Sequence, residues 1–488
     1  MSSQGQNELH RGLKARHMNM IAIGGAIGTG LFVALGGSLS EAGPGGALLA
    51  YGVIGVMVYF LMTSLGEMST YMPVSGAFET YATKFVDPAL GFALGWNYWY
   101  NWAITVAAEL AAGSLVMKFW LPETSSLMWS ALFLAILFLL NFFSAKMYGE
   151  SEFWFAGIKV VTIIIFLVVG LMMIVGIIGG HSTGFENWTV GDAPFAGGMM
   201  AIINIFMIAG FSFQGTELVG VAAGETEDPE TNVPKAIKTV FWRILIFYIG
   251  AIIVVGFILP YNDPNLLSSS GDVTDIAISP FTLIFERAGI AAAASIMNAV
   301  ILTSVLSCGN SGMYASTRML YAMAVEGKAP KIFQSVNKRG VPVPALVLTA
   351  LVGALCFLTS LAGNGTVYMW LVSASGLAGF IAWLGISISH YKFRKAFLAQ
   401  GHSLDELKFK AKWYPFGPIL ATILCAIVII GQGMYAFSGG TVDWLGIIIA
   451  YMGIPLFLLL YLGYKVSKKT KAVKPEEADL SKGFAKVD

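Results

Sequence analysis

The sequence predicts an all-α integral membrane protein with twelve transmembrane helices. Ten form two inverted five-helix repeats, with discontinuous helices 1 and 6, and two helices are extra. Three observations predict it. Only 12% of the 488 residues are charged while 56% are hydrophobic, and a soluble domain carries roughly 25% charged residues. Twelve apolar runs follow one another along the chain, each near the ~20 residues a helix needs to cross hydrocarbon. The first and sixth runs are interrupted by glycine clusters, and interruptions at corresponding places five spans apart are the sequence mark of inverted repeats.

The runs cover 17–38, 46–69, 91–117, 127–145, 153–179, 197–223, 240–260, 289–317, 344–362, 366–389, 416–436 and 444–464. Hydrocarbon offers no water to unpaired amides and carbonyls, so runs of this length fold as helices. The polar tail 1–16 precedes them, and the first run lacks a signal-type cleavage site, so it reads as a retained helix. Residues 17–179 then form the first repeat, 197–389 the second, 416–464 the extra pair, and 465–488 a second polar tail. The alternation of loops tests the count. All but three of the 29 Lys and Arg fall on the side of the N-terminus; Lys118 and Arg287 lie opposite and Lys159 lies inside the fifth span. By the positive-inside rule both termini are cytoplasmic.

The net charge of +1 provides no global field for nucleic acid; membrane lipid is the expected surrounding partner. Cys308, Cys356 and Cys425 sit in apolar runs, and no CxxC or Cys/His cluster occurs, so neither a disulfide framework, a metal nor a resident cofactor is expected.

The interruptions are GGAIGTG, Gly24 to Gly30, and GFSFQGTE, Gly210 to Glu217. Close helix packing of the GxxxG kind is the plain alternative. A nucleotide-binding glycine loop is excluded by context, since no strand precedes it. A broken helix presents unpaired amides on one side of the break and unpaired carbonyls on the other, ends that bind opposite charges. An amino-acid zwitterion matches them, its carboxylate on the amides around Thr29 and Gly30, its ammonium on carbonyls near Ala26 and Phe211 to Gln214.

Ionisable residues inside spans cost roughly 2.5–3.5 kcal/mol on insertion scales and are functional candidates by default. Glu109 continues the stripe Asn97, Asn101 and Thr105 along one side of the third span, facing either a polar path or a helix–helix hydrogen-bond network. Glu217, beside the second break, can reach a bound side chain or cap the half-helix that follows. Lys159, once desolvated, can lose its proton and so carry one, or its ammonium can hold a cation's place; the alternative is a snorkelling lysine. Glu67 and Glu225, at inner ends of spans, either gate the inner vestibule or are solvated, and Glu227, Asp228 and Glu230 read as solvated.

The stretches RHMNMIAIGGAIGTGLF, LGEMSTYMPVSGAFETYA, GWNYWYNW, GFSFQGTELVGVAAGETEDPETNVPKAI and GNSGMYASTRMLYAMAVEGKAP resemble the amino-acid transporter family of the amino acid–polyamine–organocation superfamily, and within it the bacterial lysine-specific permeases. The resemblance implies a plasma-membrane carrier that imports L-lysine by proton symport and alternating access, the proton being its coupling ion. By the same resemblance Thr29 and Gly30 receive the carboxylate, and Ala26, Phe211, Ser212 and Gln214 face the α-ammonium. Phe213 lies over the substrate, Glu109 and Glu217 meet a cationic side chain, and Lys159 takes the sodium position of related folds. Acidic residues at the Glu109 and Glu217 positions also occur in relatives that carry neutral or aromatic substrates, so selectivity rests on pocket length as well. The rivals are a broader arginine or histidine permease, an exchanger, and a lysine sensor signalling to a regulatory membrane partner. A channel lacks its carbonyl filter or charge ring, and an enzyme lacks any nucleophile motif.

Overall fold

The computed structural model describes residues 9, 11–24, 27–32, 34–180, 182–264, 266, 279–290, 292–358, 364–433 and 444–485. Among them the chain is helical with no strand; Leu13 and Thr226 form an isolated parallel bridge.

The first span is α1 (Ala15–Gly24), a break, α2 (Thr29–Phe32) and the first limb of α3 (Ala34–Tyr71). Gly43 kinks α3 at φ 72 and ψ 172, a conformation open to glycine. Pro44 then starts the second limb, which is the second span. A short helix α4 (Phe78–Phe85) leads to α5 (Pro88–Met117), whose first turn is set by Pro88 and by the Asp87 carboxylate accepting from Ala89 N–H at 2.8 Å. Next come α6 (Ser126–Phe143) and α7 (Ala145–Ile174). The sixth span is α8 (Gly198–Phe213), a break, and α9 (Leu218–Ala222). In the seventh, α10 (Pro229–Arg243) runs through a π turn, Ile244–Ile249, into α11 (Gly250–Ile258). The remainder is α12 (Pro280–Arg287), α13 (Ala293–Val325), α14 (Val343–Gly353), α15 (Asn364–Ala399), α16 (Phe416–Gly431), α17 (Trp444–Tyr451) and α18 (Gly453–Lys468).

Six of the described helical segments are long and apolar enough to cross a membrane: Ala34–Tyr71, Ser126–Phe143, Ala145–Ile174, Gly198–Glu225, Pro229–Ile258 and Ala293–Val325. Helix α5 sits at the centre, packed on α13 and α15, with Tyr98, Trp102 and Asn101 buried. The outer helices turn apolar stripes outward instead. On α7 the stripe is Val161, Ile164, Ile165, Val168 and Leu171, a helical spacing that faces lipid.

Two helices begin earlier than their apolar runs. Ser144 caps α7, its hydroxyl accepting from Met147 N–H at 3.1 Å, so the helix starts at Ala145 rather than 153 and Lys159 lies midway along it. Pro229 starts the seventh helix ahead of residue 240, through a charged segment with Glu230, Lys235 and Lys238, and Arg243 is thereby mid-helix. The predicted ends 359–362 and 434–436 lie outside the described residues.

Both chain termini fold onto one end of the bundle, the termini end. Leu13 N–H donates to Glu225 O (3.0 Å), and Leu13 O accepts from Glu227 N–H (2.9 Å). Residues 473–485 form a strap: Val473 N–H bonds Val86 O (2.8 Å), Tyr71 OH bonds Leu480 O (3.0 Å), and Lys84 bonds Ser481 O and Asp479, each at 2.9 Å. Ala485 N–H ends on Glu326 Oε1 at 2.9 Å. Beneath it Lys328 Nζ lies 2.5 Å from both Glu79 Oε1 and Glu326 Oε2, all three side chains fully buried.

Candidate functional site

At the first break α1 ends on Gly24, whose carbonyl accepts from Lys159 Nζ at 2.8 Å. Lys159 also donates to Ser307 Oγ (2.8 Å), and Ser307 donates to Glu152 Oε1 (2.5 Å). The lysine is fully buried, so it does not snorkel. Gly24 lets α1 lie directly on α7, because a Cβ there would stand 2.2 Å from Ala156 Cβ. Beyond the break α2 crosses α8 at an equally close contact: a Cβ on Gly30 would stand 2.6 Å from Ser212 Cα. Thr29 opens α2, and Ala26 lies outside the described residues.

At the second break Gln214 leaves the helix at φ −55, ψ 146. Glu217 spans the gap, its Oε2 accepting from Gly215 N–H (3.0 Å) and Trp383 Nε1 (3.1 Å), its Oε1 from Tyr98 OH (3.2 Å). The carboxylate thereby ties α5 and α15 to the break. The Gln214 amide donates to Gly376 O (3.3 Å). Of the carbonyls of this stretch, Phe211 takes Gln214 N–H (3.1 Å) and Ser212 takes Tyr248 OH (2.6 Å), one donor each, while Phe213 takes both Thr216 N–H (3.3 Å) and Thr216 Oγ1 (3.0 Å). Phe211 and Ser212 each keep a second lone pair. The Phe213 ring is buried against Tyr248, centroids 4.3 Å apart, and edge-on to Tyr51 at 6.0 Å.

The stripe on α5 divides into satisfied and unsatisfied groups. Asn97 donates to Ala378 O (2.8 Å) and Thr105 to Asn101 O (2.8 Å). Both amide atoms of Asn101, Trp102 Nε1 and Glu109 Oε2 are buried without a hydrogen-bond partner. Leaving such a group unpaired costs ~1–3 kcal/mol, so this stripe is where a polar guest is favoured. Glu109 faces the first break: a Cβ on Gly28 would lie 3.9 Å from Glu109 Oε1 and 3.6 Å from Cys308 Cβ. Tyr98, which holds Glu217, is ~16 Å back along the helix at ~1.5 Å per residue. Glu109 is thus carried by α5 at the first break, while Glu217, ahead of α9 at the second break, meets α5 through Tyr98.

Glu67 and Glu225 are both buried in ion pairs rather than solvated. Glu67 receives Arg394 Nε and Nη2 at 2.5 Å each and Ala411 N–H at 2.6 Å, with His390 Nε2 3.2 Å away. Glu225 receives Tyr314 OH (2.6 Å) and Arg318 Nε (2.8 Å), and Tyr314 stacks on Tyr148 with centroids 3.9 Å apart. Glu227, Asp228 and Glu230 are exposed.

Two buried charged residues near the first break escaped the sequence reading. Glu152 lies one residue ahead of the fifth apolar run, yet it precedes Lys159 by seven residues, two helical turns, and so shares its face. Arg243 Nη1 donates to Ala22 O (2.8 Å), while its Nε and Nη2 have no hydrogen-bond partner. The early start of α7 reveals that Glu152 is interior, whereas Arg243 lies three residues inside the seventh apolar run, and the helix starting at Pro229 moves it from the end of the span to its middle.

Known proteins share this chain's pattern along its whole length. The lysine-specific permease LysP of Escherichia coli (strain K12) is 58% identical over 470 residues, covering 96% of both chains. LysP of Lactococcus lactis subsp. cremoris (strain MG1363) is 52% identical over 487 residues, 99% of this chain and 94% of the relative. The histidine permease HisP of the same strain is 48% identical over 481 residues, 98% and 99% of the two chains. The amino acid permease profile matches residues 17–476. With its all-helical bundle and two broken helices, the chain belongs to the amino acid permease family, a fold of twelve membrane spans.

Proposed function

We propose that this protein imports L-lysine across the plasma membrane by proton symport and alternating access, with both termini in the cytoplasm. The observation that carries the reading is Lys159, seated on the Gly24 carbonyl at the first break. Its protonation is thereby joined to the position of α1. With its proton, Lys159 holds α1 against α7 and α13; without it, one of those ties weakens and α1 is freer to move. An inside-negative potential adds ~2.3 kcal/mol per charge per 100 mV to the inward drive on a cationic substrate.

In this reading the amides of Thr29 and Gly30 take the carboxylate. The free lone pairs at Phe211 and Ser212, with Ala26 and Gln214, take the α-ammonium, and Phe213 closes over it. Glu109 offers its unpaired Oε2 to a cationic group, and the Glu217 charge adds to the same field. The Glu225–Arg318 and Glu67–Arg394 pairs hold the inner end shut. The lysine assignment follows the two relatives named lysine-specific permeases; a broader basic-amino-acid carrier is the second reading, favoured by the histidine permease at 48% identity. Radiolabelled L-lysine uptake into sodium-free proteoliposomes at clamped potential tests both. Acceleration by an inward proton gradient, with competition by unlabelled lysine and not by arginine or histidine, is the expected result. Indifference to the gradient overturns proton symport, and strong competition by arginine or histidine replaces lysine with the broader class.

A further inference from the structure

The hydrogen bonds at the first break do not stop at Lys159. Its Nζ donates to Ser307 Oγ and Ser307 donates to Glu152 Oε1, so both links point the same way, from amine to carboxylate. Glu152 is fully buried and its Oε2 has no partner. A buried carboxylate without its full set of hydrogen bonds is expensive to maintain, and this one shares its helix face with the family-position lysine.

We propose that Glu152 is the residue that exchanges a proton with Lys159 through the Ser307 hydroxyl during transport. The inference rests on the proton-symport reading. In the transfer, the Lys159 ammonium gives a proton to Ser307 Oγ while the Ser307 hydroxyl proton passes to Glu152 Oε1. The products are a neutral amine, an intact serine and a carboxylic acid, so proton number and net charge are conserved. An ion pair becomes a neutral pair without moving a heavy atom, and the neutral pair bears a smaller desolvation cost. The acid then releases its proton toward the termini end. Polar groups continue that way: Asn310 and Ser311 lie beside Glu152, Tyr148 OH is 3.3 Å from Ser311 Oγ, and Tyr314 OH donates to Glu225 (2.6 Å).

The charged and titratable groups around Glu152 come from every element near it. On its own helix are Lys159 and Tyr148; on α13 are Cys308, Tyr314 and Arg318; on α5 is Glu109; and on α10 Arg243 acts on Lys159. Toward the termini end stand Glu225, beyond α9, and His17, on α1 and against Gly149. Two of these reach Glu152 through a single hydroxyl, Lys159 through Ser307 and Tyr148 through Ser311; Lys159 is the cation of the two.

The test uses the full-length protein in proteoliposomes, with wild type, Glu152→Gln and Ser307→Ala in parallel. Wild-type uptake that ignores the proton gradient defeats the symport reading itself, whatever the variants do. Given a gradient-driven wild type, Glu152→Gln is expected to bind lysine within about threefold of wild type, to lose acceleration by the gradient, and to show a flat pH profile of uptake. Ser307→Ala, which keeps the carboxylate and removes the bridge, is expected to show the same split. Retained gradient acceleration with a wild-type pH profile in Glu152→Gln overturns the proposal. So does equal loss of binding and transport in both variants, which marks a brace rather than a proton site.

Discussion

Replacing Glu217 with glutamine separates the two things this residue does. Its oxygens accept three hydrogen bonds, from Tyr98 OH on one side and from Gly215 N–H and Trp383 Nε1 on the other. A glutamine carbonyl in the Oε2 place still accepts the latter two, and its amide in the Oε1 place donates to Tyr98 once that hydroxyl rotates. The brace across the second break therefore survives while the charge is lost. A hydrogen bond to a charged group is worth ~1.5–3 kcal/mol, so the expected loss in lysine affinity is about 10–150-fold at ~1.4 kcal/mol per tenfold. Glu217→Ala, in contrast, orphans the Trp383 and Gly215 donors at ~1–3 kcal/mol each and is expected to lower the melting temperature as well. The assay is thermal unfolding in detergent beside lysine binding by isothermal calorimetry. Wild-type affinity in Glu217→Gln would refute a binding role and leave Glu217 as a brace alone; a melt as low as that of the alanine variant would refute the brace geometry.

Other outcomes follow from the same contacts. Gly24→Ala places a methyl 2.2 Å from Ala156 Cβ and, as overpacking costs ~1–3 kcal/mol, is expected to lower the melting temperature and weaken proton-driven uptake together. Arg318→Met strands the buried Glu225, a loss of ~3–5 kcal/mol from the termini end. Maleimide labelling of a cysteine introduced at the buried Thr226 is expected to rise accordingly. Burial and the neighbouring Glu326 carboxylate push Glu79 up from 4.5 to about 8, so its protonated form favours the docked strap. That contribution is complete below the ordinary value of 4.5 and lost as pH rises through about 8. Proteolytic cleavage of residues 473–485 is expected to accelerate as pH rises from 4.5 to about 8 and to level off above it in wild type, and to become independent of pH in Glu79→Gln.

The membrane-embedded part of the fold was legible because hydropathy is a direct physical demand of hydrocarbon. Both breaks and the central stripe on α5 could be read from spacing and composition, but Lys159 is not alone, since Arg243 is also buried mid-helix. What hydropathy cannot report is how far a helix continues into water. The starts at Ala145 and Pro229 depend on a serine cap and a proline; the first brings Glu152 inside, and the second moves Arg243 from near the end of its span to the middle. Long-range partners were equally invisible. Glu67 meets Arg394, and Glu217 meets Trp383, across sequence separations of 327 and 166. The sequence alone placed each acid at the end of a span or beside a break and left its partner open.

The strap has a consequence for the order in which this molecule is made. Every helix leaves the ribosome before residues 473–485 do, yet those residues supply the contacts to Val86, Leu480's partner Tyr71, Lys84 and Glu326. The bundle can be fully inserted while the Glu79–Lys328–Glu326 cluster still stands uncovered. Closing that end therefore follows the synthesis of every described span, and the strap contacts on Val86, Tyr71, Lys84 and Glu326 are the ones a chain ending ahead of residue 473 would lack.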